Sequence, residues 1–127
     1  MSTALTEDEL LAEVRYPVLP DGTKFGFYEF SRRAGDFAMA ASLVTYRLDG
    51  NTITDARVGV GGAEASPRRI AQAEAVLNGR QPNDGTFVAA AEAAVAAIDP
   101  LDDAQIPAEF RRELVQAVVH RALQSAA

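Results

Sequence analysis

Two glycine- and arginine-bearing segments are the first places to look for chemistry in this sequence. Ser31-Arg32-Arg33-Ala34-Gly35-Asp36 places two adjacent cations before a glycine and an acid. Gly35 can take a positive φ in a bend, and Asp36 can cap it or pair with a neighbouring arginine. Gly59-Val60-Gly61-Gly62 precedes Ser66-Pro67-Arg68-Arg69. A glycine-rich strand end leading to a helix N-terminus can hold an anion. The spacing is nevertheless neither GxGxxG nor a Walker loop, because no Lys-Ser/Thr pair follows. These glycines therefore suit a bulge and close backbone packing ahead of Ser66. Arg68 and Arg69, read as the first turn of that helix, oppose its dipole at a cost of about 0.3–1 kcal/mol per charge. An acidic group, from this chain or a partner, is expected to face them.

Other reactive side chains are sparse. His120 is the only histidine and cysteine is absent, so disulfides, thiolate nucleophiles, iron–sulfur ligation and thiolate zinc sites are all excluded. With no second histidine or cysteine one helical turn from His120, no metal site is expected. The acidic runs Glu7-Asp8-Glu9 and Asp102-Asp103 lie where capping explains them. No Ser–His–Asp set is supported by spacing, and no autonomous active site is expected.

The elements that must carry these segments divide into a first half with strand character and a helical second half. Glu9 to Tyr16 holds Leu10, Leu11, Val14 and Tyr16 and is stopped by Pro17, which reads as a first strand. Pro20-Asp21-Gly22 is a turn. Phe25 to Phe30 is aromatic-rich and suits a strand. Phe37 to Leu48 starts apolar on both faces, as in a strand covered on both sides for part of its length. Asp49-Gly50 is a strong hairpin signal, and Thr52 to Val60 returns with Ile53, Val58 and Val60.

Three helices follow. Ser66-Pro67 reads as an N-cap with proline at the first helical position, and Asn78-Gly79 as the C-cap. Ile70, Ala73, Val76 and Leu77 form the face for the sheet. Asn83 or Asp84 caps a second, alanine-rich helix that ends at Asp99-Pro100. Pro107 opens a third, with Phe110, Leu114, Val115, Val118 and Leu123 as its apolar side. The expected fold is α+β: an antiparallel three- to four-stranded sheet packed against a three-helix layer.

At 127 residues the chain is expected to form one domain, residues 1–127, with 48% hydrophobic and 24% charged residues. The net charge of −6 argues against nucleic acid or anionic membrane as a partner. The N-terminus is acidic without an apolar run, and no stretch approaches the roughly 18 apolar residues of a membrane span. The chain reads as cytoplasmic.

The two segments in their order, Phe27-Tyr28-Glu29-Phe30-Ser31-Arg32-Arg33-Ala34-Gly35-Asp36-Phe37-Ala38 and then Gly59-Val60-Gly61-Gly62-Ala63-Glu64-Ala65-Ser66-Pro67-Arg68-Arg69, carry a family resemblance. They resemble the C-terminal domain of the FAD-binding (medium) subunit of molybdenum hydroxylases, the carbon monoxide dehydrogenase and xanthine dehydrogenase superfamily. Asp8-Glu9-Leu10-Leu11 at the start and Ala108 to Leu114 with Arg121-Ala122-Leu123 at the end extend the resemblance to about residues 9–123.

The resemblance implies a role within a larger oxidoreductase. In such enzymes electrons pass from a molybdopterin centre through two iron–sulfur clusters to FAD, and this domain closes over the flavin and helps seat it against the iron–sulfur subunit. The Gly-rich loops that hold most of the flavin belong to a larger N-terminal part that these 127 residues do not include. FAD is therefore expected only in the context of a complete flavin subunit, with none bound tightly by this chain. Tyr28, Arg32 and Arg33 are the residues that the resemblance turns toward the flavin. Some members carry a lysine where Tyr28 stands, so the charge is lost at that position. The implied partners are the missing FAD-binding portion, the iron–sulfur subunit and the molybdopterin subunit, with a homo-oligomer as a further possibility. The competing expectation is a structural or interaction module that kept the fold without an electron-transfer role.

Overall fold

In the computed structural model, residues 3–103 and 106–127 are described. Four strands, β1 (Lys24–Phe30), β2 (Ala40–Asp49), β3 (Thr52–Gly61) and β4 (Arg68–Arg69), lie in sequence order in one antiparallel sheet. Three helices follow, α1 (Ala71–Leu77), α2 (Asp84–Ala97) and α3 (Ala108–Ala126). The α+β architecture is the expected one. Helices α1 and α3 touch the sheet, and α2 rests against both of them.

Alternation decides which face of the sheet is buried. Ala40, Ser42, Val44 and Tyr46 of β2 point into the helix layer, opposite Gly26, Tyr28 and Phe30 of β1 and Val58 and Val60 of β3. The β2–β3 hairpin turns at Gly50 (φ +59), where Asp49 opposes Thr52. Ile53 and Val58 differ in parity, yet both are fully buried. A bulge reconciles them: Thr45 opposes Arg57 while Arg47 opposes Thr54, so Asp55 and Ala56 share Tyr46 as partner. Asp55 takes φ +52 to make that step.

The two long edges of the sheet differ. Along β3, the N–H of Ile53 donates to the Arg80 carbonyl (2.8 Å), that of Ala56 to Asn78 Oδ1 (3.0 Å) and that of Val58 to Glu74 Oε1 (3.0 Å). The outer edge of β1 has no strand beside it among the described residues.

Several expectations are corrected. Residues 9–16 form no strand: they are exposed and join no sheet, and the fourth strand is Arg68–Arg69 instead. Consequently α1 starts at Ala71, not at Ser66-Pro67, because Gly59 and Val60 pair with Arg69 and Arg68. The bulge lies at Asp55, not at the glycines. Gly62 (φ +77) does serve close packing, since a Cβ there would lie 2.6 Å from the Ala38 carbonyl oxygen. β2 starts at Ala40 and Phe37 stays outside it. Its outward Leu43 is 54% exposed, so the sheet is covered on one side only. Phe110 also lies off the core at 41% exposure, whereas Leu114, Val115, Val118 and Leu123 are buried as expected. The Asn83 cap is present, with Oδ1 accepting from Thr86 N–H at 3.0 Å.

Candidate functional site

The bend between β1 and β2 carries the first set of candidate residues. Its ends are pinned by Met39 N–H donating to the Phe30 carbonyl at 2.8 Å. Inside, Asp36 N–H and Ser31 Oγ both donate to the Arg33 carbonyl, each at 3.0 Å. Gly35 supplies the turn with φ +89. All of these bonds use backbone or Ser31, so the guanidinium groups of Arg32 and Arg33 are exposed and carry no ion pair among the described residues. The Arg33–Asp36 pair considered from sequence is therefore not formed. Phe37, in the same bend, is wholly exposed. The expected strand over Phe37 is absent, and its ring stands in the open.

Tyr28 is not part of that cluster. It sits on the inner side of β1, where Arg121 of α3 lies 5.0 Å above its ring and hydrogen-bonds its hydroxyl. The structure thus keeps Arg32 and Arg33 together and engages Tyr28 elsewhere.

The outer face of the sheet forms a second feature. Phe25 and Phe27 of β1 face Thr45 and Leu43 of β2, and next to them Gly59 and Gly61 leave the backbone of β3 bare. A shallow groove of about 530 Å³ runs over Phe27, Leu43, Gly59 and Gly61 to Pro67 and Arg69. Its arginines are matched by acids of this chain, as expected, although they stand in β4 and not in a first helical turn. Arg68 donates from Nε to Glu64 Oε2 (2.6 Å) and from Nη2 to the Ala97 carbonyl at the end of α2 (2.6 Å). The Arg68 hydrogen bond holds the Glu64 carboxyl below its usual range against a smaller opposing effect of burial. Arg69 donates through Nε and Nη2 to Glu74 Oε1 and Oε2 at 2.9 and 2.7 Å. Burial alone would raise the Glu74 carboxyl. Hydrogen bonds from Arg69 and Val58 N–H, with the charges of Arg69 and Arg57, outweigh it and lower it. The glycine segment therefore has no spare cation for a phosphate, and the N–H of Ile70 ahead of α1 is taken by the Val58 carbonyl (2.8 Å).

Arg111 was invisible as a special residue in sequence, standing beside Arg112. It is 4% exposed and donates to the carbonyls of Leu101 (3.0 Å), Met39 (3.1 Å) and Gly62 (2.8 Å) and to Asp103 Oδ2 (2.8 Å). These bonds clamp the C-terminal end of the 31–39 bend to the end of β3 and to α3. The available signal was its position on the apolar stripe, three and four residues before Leu114 and Val115. His120 Nε2 lies 2.7 Å from Asp84 Oδ1, and Gln124 Nε2 donates to the same atom (3.1 Å), tying α3 to the start of α2. Among the described residues no group of three His, Cys, Asp or Glu could hold a metal, and no helix is long and apolar enough to cross a membrane.

An antiparallel sheet with an arginine bend at its first crossing and two sheet-packed helices joined by a third matches one known arrangement. Residues 25–126 match the CO dehydrogenase flavoprotein C-terminal domain. The chain belongs to this family. It is 36% identical over 124 residues to the nicotine 6-hydroxylase medium subunit of Paenarthrobacter nicotinovorans, covering 98% of this chain and 43% of that one. The carbon monoxide dehydrogenase of Hydrogenophaga pseudoflava superposes with a TM-score of 0.81 at 30% identity, over 87% of this chain and 38% of that chain. Quinoline 2-oxidoreductase of Pseudomonas putida 86 gives a TM-score of 0.78 at 26% identity, over 84% and 37%. The chain spans less than half the length of the medium subunits it matches.

Proposed function

We propose that this flavoprotein domain completes the FAD site of a molybdenum hydroxylase-type oxidoreductase, closing over the flavin and seating it against an iron–sulfur subunit. The observation that carries the reading is the 31–38 bend, which holds Arg32 and Arg33, exposed and without an ion pair among the described residues, and the exposed ring of Phe37 on one loop. Such a set fits one end of a flat heteroaromatic ring, by stacking and by charge-assisted hydrogen bonds to its polar rim. The glycine segment is not the diphosphate site in this reading, because Arg68 and Arg69 beside it are neutralised by Glu64 and Glu74. The phosphates belong to the rest of a flavin subunit. FAD would supply the electron-accepting ring, while Arg32, Arg33 and Phe37 orient it and exclude water from one side.

In this reading the partners are the FAD-binding portion, the iron–sulfur subunit and the molybdopterin subunit, assembled in the cytoplasm, and substrate choice rests with the molybdenum subunit. The domain has no catalytic residue of its own. A module retaining only an interaction role is the second reading, favoured by the apolar outer face of the sheet. Titration of the isolated chain with FAD should show weak binding or none, and flavin should be retained when the chain is co-expressed with the FAD-binding portion. Sub-micromolar FAD affinity of the isolated chain would refute the division of the site, and flavin retention untouched by Arg32→Ala with Arg33→Ala would favour the second reading.

A further inference from the structure

The outer edge of β1 is seven residues long and runs without proline or bulge. Among the described residues, the backbone from Lys24 to Glu29 bonds to β2 and to nothing else. Native edges are usually shortened, bulged or interrupted. This one stands ready for a further strand, and what flanks it is specific.

The two sides of the edge differ, because alternate residues of β1 face opposite ways. On the helix side, two hollows lie in the seam between β1 and α3. One, of about 540 Å³, reaches from Thr23 and Lys24 to Ser125. The other, of about 250 Å³, is lined by Tyr28, Phe30, the buried Leu114 and Val118, and the exposed Arg121. Lys24 and Arg121, one at each hollow, have no ion pair among the described residues. The Arg121 guanidinium rests on the Tyr28 ring and its hydroxyl instead. On the opposite side stand Phe25 and Phe27, 68% and 54% exposed, followed by Glu29. In a chain of net charge −6, the helix side of this edge is locally cationic and the other side is largely apolar.

We propose that the outer edge of β1 is a docking site for an extended peptide segment of a partner protein in which acidic residues alternate with apolar ones. Such a segment adds to the edge through backbone N–H···O=C bonds. Its acids lie on the helix side, within reach of Lys24 and Arg121, and its apolar residues lie beside Phe25 and Phe27. An uncharged strand gains the backbone bonds without the ion pairs. A strand with the opposite alternation sets its acids against Glu29 and leaves both cations unmatched. The site is separate from the 31–38 bend and does not depend on the flavin reading.

The test uses the full chain and a blocked synthetic peptide that alternates glutamate with valine, read by isothermal titration and hydrogen–deuterium exchange. The peptide should slow exchange of amides in residues 24–30 at least about tenfold, and its binding should weaken as salt is added. The same peptide with lysine for glutamate should not bind. Lys24→Glu combined with Arg121→Glu should exchange the two preferences, and the binding gained by the lysine peptide shows that this variant still folds. Arg80→Ala, beside the opposite edge of the sheet, should leave the affinity for the glutamate peptide unchanged. Equal protection by both peptides, protection by neither, or a preference unmoved by the charge reversal would overturn the proposal. Slow exchange of β1 in the chain alone, together with a dimer on sedimentation, would give the edge to a second copy and overturn it as well.

Discussion

Gly26 lies directly beneath Ala122: a Cβ on Gly26 would stand 1.9 Å from the Ala122 carbonyl oxygen. The crossing of β1 by α3 is set by this missing side chain, because no rotamer can move a Cβ out of the helix backbone. Gly26→Ala should therefore lower stability by about 2 kcal/mol or more in denaturant unfolding. Gly35→Ala is the contrast. It meets open space, but φ +89 charges it about 1 kcal/mol. Equal costs at the two sites would show that α3 yields easily.

Glu74 makes stability acid-sensitive. Its carboxyl titrates lower when folded than its ordinary value of 4.5. Its contribution is therefore complete above that value and is lost as pH falls through the lower, folded one. Acid unfolding of the wild type should steepen below about pH 4.5, and Glu74→Gln should flatten that limb. At neutral pH, Glu74→Ala leaves Val58 N–H without an acceptor and should cost about 1–3 kcal/mol by chemical melting.

Arg111 should be the most sensitive charged residue. Removing its side chain takes the shared donor from three carbonyls and from Asp103 Oδ2, so Arg111→Ala should cost about 3–5 kcal/mol. Arg111→Lys should rescue little, since an ammonium cannot spread its donors as the planar fork does. Thermal denaturation of both variants, with Arg112→Ala as a near-neutral control, checks this.

Arg33 separates stability from assembly. Exposed and without an ion pair, it should shift stability by no more than about 0.5 kcal/mol when changed to alanine. If it faces the flavin or a partner, the same change should weaken pull-down of the FAD-binding portion by at least about tenfold. Intact assembly with lost stability would make Arg33 a residue of the fold.

What was legible in the sequence was what local chemistry dictates. Asp49-Gly50 announced the hairpin, Asn83 the start of α2 and Pro107 that of α3. Ser66-Pro67 misled, because a cap signal cannot reveal that the next two residues will pair with Gly59 and Val60. The bulge was written only as a clash of parity between Ile53 and Val58. Residues 9–16 carry a strand pattern, yet pairing is a property of neighbours, and these residues join no strand of the sheet. In the candidate site the bend was legible from Gly35, whereas the contact of Tyr28 with Arg121 and the exposure of Phe37 depend on tertiary neighbours that no local pattern encodes.

The unequal edges of the sheet set a stoichiometry. Along β3 the outward N–H groups of Ile53, Ala56 and Val58 are terminated by Arg80, Asn78 and Glu74, whereas β1 ends the sheet with no strand beside it among the described residues. If two copies meet strand to strand along a long edge, they do so β1 to β1 about a twofold axis. The long edges that remain are then those of β3, already terminated, with only the two-residue β4 beyond them, so strand addition along the long edges closes at a pair.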